Sequence, residues 1–130
     1  MKNNKTFKPL YFVAKDKIFE RPIHVFINAT NKEWGEFKQG KNATEDFGDF
    51  NDANFAAWSS QIDGKGKLSE WIIFVKEFDW TITDQGTLVH EIVHTILKIF
   101  ASNNIPTNLD TQEFLATEIA ELYESIAREL

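Results

Sequence analysis

Residues 83–100, TDQGTLVHEIVHTILKIF, decide how the chain is read. Apolar side chains recur at Leu88, Ile92, Ile96 and Ile99, and again at Val89, Val93 and Phe100. That is the spacing of a helix with a wide apolar stripe, and neither proline nor glycine interrupts it after Gly86. Thr83 is placed to cap its start, and Asn103-Asn104 followed by Ile105-Pro106 ends it. Within it lies His90-Glu91-Ile92-Val93-His94. Histidines four residues apart stack on one helix face, so both imidazoles can reach a single metal ion while the glutamate stands beside it. This spacing predicts a zinc hydrolase site with Glu91 as its base.

A hydrolytic zinc takes three protein ligands and keeps one position open, so two histidines demand a third donor. The chain has no cysteine, and its only other histidine is His24. A third histidine of the H-E-x-x-H-x-x-G-x-x-H type is absent, because Leu97 and Phe100 hold the glycine and histidine positions. An acidic ligand remains, and Glu113 is the one expected. It lies in Asp110-Thr111-Gln112-Glu113, which opens a second helix 19 positions beyond His94. Two antiparallel helices joined by a short turn bring it back beside the histidines. Ala116 and Ala120 share its face and permit close approach.

Other readings compete. Asp-x-x-Glu before a helical run is also a capping box, and Glu113 is otherwise a plain surface carboxylate. Glu118 and Glu121 are rival ligands on a face that reads as solvated, since Glu124 and Arg128 follow at salt-bridge spacing. The histidine pair itself could be two half-buried histidines on an amphipathic helix. For an oxyanion donor the candidates are Tyr123, Tyr11 and His24, while His24 also reads as an ordinary strand histidine in its apolar run.

A chain of 130 residues with 42% hydrophobic and 26% charged residues is long enough for one globular core. Its net charge of -6 and the lack of a basic stripe argue against nucleic acid as a partner. The lysines at positions 2, 5, 8, 15 and 17 are interrupted by Asp16 and Glu20 and read as a solvated tail. No apolar run reaches the roughly 18 residues of a membrane span, and residues 1–10 lack the apolar region of a secretory signal, so an intracellular, cytoplasmic protein is expected.

Residues 22–29 read as a strand, and 31–39, with Trp34, as a short helix or turn. Residues 40–54 read as a polar loop, whose Asp46, Asp49 and Asp52 miss the spacing of a calcium loop. Residues 55–62 and 70–78, separated by Asp63-Gly64-Lys65-Gly66-Lys67, read as a hairpin. Strands first and helices last predict an α+β domain, a small mixed or antiparallel sheet packed on the histidine helix and a C-terminal helix. The expected division is an N-terminal segment of residues 1–21 and a single domain of residues 22–130.

With these residues set out, the chain resembles compact H-E-x-x-H zinc proteins of the gluzincin type, and most closely a family of small metallopeptidase-like proteins encoded by phages and prophages. The matching features are Thr87-Leu88-Val89-His90-Glu91-Ile92-Val93-His94, the turn ending in Asp110-Thr111-Gln112-Glu113, and Trp34 after the first strand. The resemblance implies a zincin-like core in which His90, His94 and Glu113 bind zinc and Glu91 is catalytic. The expected activity is peptide-bond hydrolysis by a zinc-bound water with Glu91 as general base, acting on a peptide or protein aligned along the edge strand at residues 55–61. The competing function is a non-catalytic, zinc-stabilised binding protein of phage or prophage origin.

Overall fold

In Leu10-Tyr11-Phe12-Val13-Ala14-Lys15 buried and exposed positions alternate, as a strand with one covered face requires. In the computed structural model, which describes residues 9–17, 20–28, 57–62 (backbone only) and 70–130, this stretch is the first strand, β1 (Leu10–Lys15). It belongs to the sheet, which corrects the solvated-tail reading for these residues. The lysines misled because those at 15 and 17 flank the strand's end without interrupting its apolar alternation.

Among the described residues three further strands follow, β2 (Pro22–Ile27), β3 (Ala57–Ile62) and β4 (Glu70–Val75). They form one four-stranded mixed sheet in the order β1-β2-β4-β3. β1 and β2 are antiparallel, with Val13 opposite His24. β2 and β4 are parallel, with Val25 opposite Ile73. β3 and β4 make the expected antiparallel pair, with Ser59 opposite Ile73. The central strands read PIHVFI and EWIIFV, nearly unbroken apolar runs, because a parallel central pair is buried on both faces. Ile23, Val25, Ile27, Trp71, Ile73 and Val75 join the core beneath the helices. The alternate residues His24, Phe26, Ile72 and Phe74 are buried as well.

The histidine helix, α1 (Ile82–Ser102), begins one residue ahead of the expected run. Its cap is Thr81, not Thr83: the Thr81 hydroxyl accepts the Asp84 backbone N–H at 3.1 Å. The Asp84 carboxylate in turn accepts the Asp79 N–H at 2.8 Å, so the helix start is tied to the strand exit. At the other end Asn103 bonds back to Ile99 and Phe100, and Asn104 turns left-handed at φ 57, as the Asn-Asn pair predicts. The second helix, α2 (Gln112–Glu129), packs on α1 and on β1, while α1 lies across β3 and β4. Leu88, Ile92, Ile96, Ile99 and Phe100 of α1 meet Leu122 and Ile126 of α2 over the sheet. Each such fully buried side chain contributes about 1.5–3 kcal/mol relative to exposure.

Asn28, at φ 58 just past β2, ties the end of β2 to the segment that follows β4. Its Oδ1 accepts the Phe78 N–H at 2.8 Å, its Nδ2 donates to the Phe78 carbonyl at 3.3 Å, and its own N–H donates to Val75 at 3.1 Å. Among the described residues no helix is long and apolar enough to cross a membrane. The expected turn at 31–39 with Trp34, the loop at 40–54 with its three aspartates, and the glycine-rich turn at 63–67 lie outside the described residues.

Candidate metal centre

α1 divides its circumference between packing and chemistry. Leu88, Ile92, Ile96 and Ile99 hold one arc against the sheet, which turns His90 and His94 together toward solvent. Their Nε2 atoms stand 3.0 Å apart, and the rings meet at 76° with centroids 4.6 Å apart. Two imidazole lone pairs cannot face each other at that distance without a positive centre between them. Either one nitrogen carries a proton aimed at the other, or both donate to one cation.

Glu91 occupies the boundary between the two arcs and is only 5% exposed. Donor atoms of His90, Glu91 and His94 all lie within 4.8 Å of one another. Glu91 Oε2 is buried and has no hydrogen-bond partner among the described residues. Burial pushes this carboxyl above the ordinary carboxylate range, while His90, His94 and Lys98 pull it back. Thr95 donates to the Glu91 carbonyl at 2.8 Å, so the hydroxyl next to His94 is spent on the helix backbone.

No family model, no curated protein and no solved structure matches the chain. The case for a site therefore rests on its own geometry.

The remaining candidates are distributed over the fold. Phe114 meets Phe100 in a tilted ring contact with centroids 5.4 Å apart, which brings the start of α2 against the end of α1. Glu113 sits beside Phe114, exposed, and outside the group formed by His90, Glu91 and His94. It is not in a capping box. The helix cap is Thr111, and the turn is closed by Asn108 Oδ1 accepting the Asp110 N–H at 2.9 Å and by the Thr111 hydroxyl donating to Pro106 at 2.7 Å.

Glu118 and Glu121 do not lie on a solvated face. Glu118 is 7% exposed, and Glu121 is half-buried and bridged by Lys17 Nζ at 3.5 Å. Their neighbours come from the end of β1, which local helix spacing cannot reveal. The Arg128–Glu124 pair is where the spacing puts it, exposed at 3.9 Å. Tyr123 is half-buried against the core. Tyr11 and His24 sit together on the opposite side of the sheet from α1, with the Tyr11 hydroxyl 2.9 Å from His24 Nδ1. His24 Nε2 lies 3.1 Å from Glu70, so a proton on Nε2 leaves Nδ1 to accept from the phenol. Burial, then the Glu70 charge, pushes that phenol above its ordinary value. His24 is thus a hydrogen-bonded strand histidine, and the sheet separates it from the histidine pair. Sequence reading missed Glu70 as its partner, a contact 46 residues away. It also missed Lys98 as a charge felt by Glu91, although seven residues is two helical turns and was legible.

Proposed function

We propose that this chain is a zinc-dependent metallopeptidase built on a minimal zincin-like core, with His90 and His94 as ligands, Glu113 as the third donor and Glu91 as general base. The observation that carries the reading is the histidine pair at 3.0 Å with, in the same cluster, a buried carboxylate oxygen that has no partner among the described residues. Leaving a buried polar atom unpaired costs about 1–3 kcal/mol, and a purely structural helix position gains nothing from it. A base that must act on a substrate proton does. The donor set fits zinc, which accepts imidazole nitrogen at about 2.0–2.1 Å. Two such nitrogens on one tetrahedral ion are separated by roughly 3.3 Å, close to the spacing the helix imposes. Glu113 is assigned as the third donor because it stands exposed at the start of α2, next to Phe114 whose ring meets Phe100 of α1, and outside the bonds that close its turn.

When bound, zinc supplies an electrophile that polarises a carbonyl and activates water. The chain supplies the rest. Glu91 Oε2 takes the proton released on attack and returns it to the leaving amine. Burial raises the proton affinity of that oxygen while the two histidines and Lys98 limit the rise, and a raised affinity favours a group that must accept a proton before giving it up. Among the described residues β3 is at the edge of the sheet, and α1 packs against it. Substrate backbone pairs with that edge and lies across the two histidines.

The test is hydrolysis of a diverse peptide library by zinc-loaded wild type and by Glu91→Gln. Cleavage by wild type with near loss in the variant supports the reading. Equal cleavage by both removes Glu91 from its role, and no cleavage by either leaves a zinc-stabilised binding protein.

A further inference from the structure

The end of β1 and the middle of α2 enclose a second cluster of charge, away from the histidines. Glu118 is 7% and Asp16 3% exposed, so two carboxylates are buried together. A cavity of about 10 Å3, room for roughly one water, lies between them, lined by Asp16, Lys17, Ile23, Ile96, Glu118 and Ser125. Lys15 at the end of β1, Asp16 and Lys17 in the turn after it, and Glu121 from α2 are the charged groups around it, while α1 and β2 contribute only the apolar Ile96 and Ile23. The two carboxyls differ in support. Asp16 Oδ2 accepts the Arg21 backbone N–H at 2.9 Å and so closes the turn from β1 to β2. Glu118 accepts from the Lys17 backbone, and the Lys17 side chain reaches past it to Glu121.

We infer that Glu118 is a pH-sensitive latch that fastens α2 to the end of β1, tight when its carboxyl is protonated and loosened when it ionises beside Asp16. Glu118 is the group that responds to pH, because it is buried against two like charges, Glu121 and Asp16. Burial first, then Glu121 and Asp16, pushes Glu118 above the ordinary carboxylate range, and Lys17 only partly offsets them. The sign follows from linkage. A carboxyl whose folded value lies above its unfolded value stabilises the docked helix at low pH, and that stabilisation is lost as pH rises through the folded value. Each unit of the rise is tenfold in the undocking equilibrium. Glu113 rides on the same helix. If the metal reading holds, the latch also sets how firmly the third donor is presented.

Amide hydrogen exchange with chelator present isolates the latch from the metal, so its outcome is independent of any zinc chemistry. Between pH 5 and pH 8, after correction for intrinsic exchange rates, protection of the α2 amides in wild type should fall several-fold relative to Glu118→Gln, which mimics the protonated form. Asp16→Asn should reduce the fall. Parallel pH dependence in wild type and Glu118→Gln overturns the proposal. Should that variant fail to fold, carboxyl carbon NMR of wild type decides it, since a Glu118 titration at the value of a free glutamate equally overturns it.

Discussion

Glu91→Gln separates what the fold wants at position 91 from what chemistry wants there. The wild-type side chain buries a carboxylate oxygen with no hydrogen-bond partner among the described residues, a desolvation cost of about 1–3 kcal/mol. Glutamine has nearly the same shape and no charge, but its amide N–H groups meet the same unpartnered surroundings and return part of that cost. A net gain of about 1 kcal/mol is expected for the metal-free protein, or roughly 3–5 °C in melting temperature for a domain of this length. The gain must depend on pH. Because burial raises the Glu91 carboxyl in the folded state, the wild type is most stable below the ordinary carboxylate range and loses stability as pH rises through the folded value. The variant has no such loss. Melting curves in chelator from pH 4 to pH 8 should therefore start close together and diverge, with the variant higher at pH 8. A variant that melts below wild type at pH 8, or a difference that does not change with pH, would refute the account of Glu91 as a desolvated base. On the proposed assignment of Glu91 as base and not ligand, saturating zinc should then raise both proteins alike, by about 4 kcal/mol at a thousandfold excess over the dissociation constant.

Elemental analysis and zinc titration should give one ion per chain. His90→Ala or His94→Ala should abolish it, and Glu113→Ala should weaken it far more than Glu118→Ala; equal effects of the two glutamates would displace Glu113 as third donor. Gly86→Ala should stabilise by about 0.5–1 kcal/mol in thermal melts, since a Cβ there meets nothing within 4 Å and the helix interior disfavours glycine. Asn28→Ala should destabilise by about 2–3 kcal/mol, because it leaves the Phe78 N–H and carbonyl without their partner and puts a side chain at φ 58 that favours glycine or asparagine. Asn28→Gly should recover the backbone part of that loss and none of the hydrogen bonds.

What could be read from sequence was whatever is encoded within a few turns or a hairpin. The 3.6-residue repeat from Leu88 to Phe100, the Asn103-Asn104 stop and the hairpin made by β3 and β4 all depend on neighbours close along the chain, and all are found. β1 escaped because flanking lysines masked a six-residue alternation whose covering helix, α2, lies far along the chain at Gln112–Glu129. Glu118 escaped for the same reason. Its own helix offers Glu121, Glu124 and Arg128, which read as solvent-facing, and only the end of β1 shows that position 118 is closed over.

The histidine pair and Glu118 illustrate one rule with opposite outcomes. Both are polar groups on helices that also carry core residues, and in each case helical phase fixes which arc a side chain occupies. Phase alone predicts exposure only where nothing else covers that arc. His90 and His94 face out because their arc lies away from the core residues of α1, and the contacts of α2 with α1 among the described residues run through Phe100 and the side of Ile96 and Leu122. Glu118 faces in because β1 ends against it. A metal-ligand motif is therefore more legible in sequence than a buried charge: it needs an uncovered arc on one helix, whereas the charge needs two distant elements to meet.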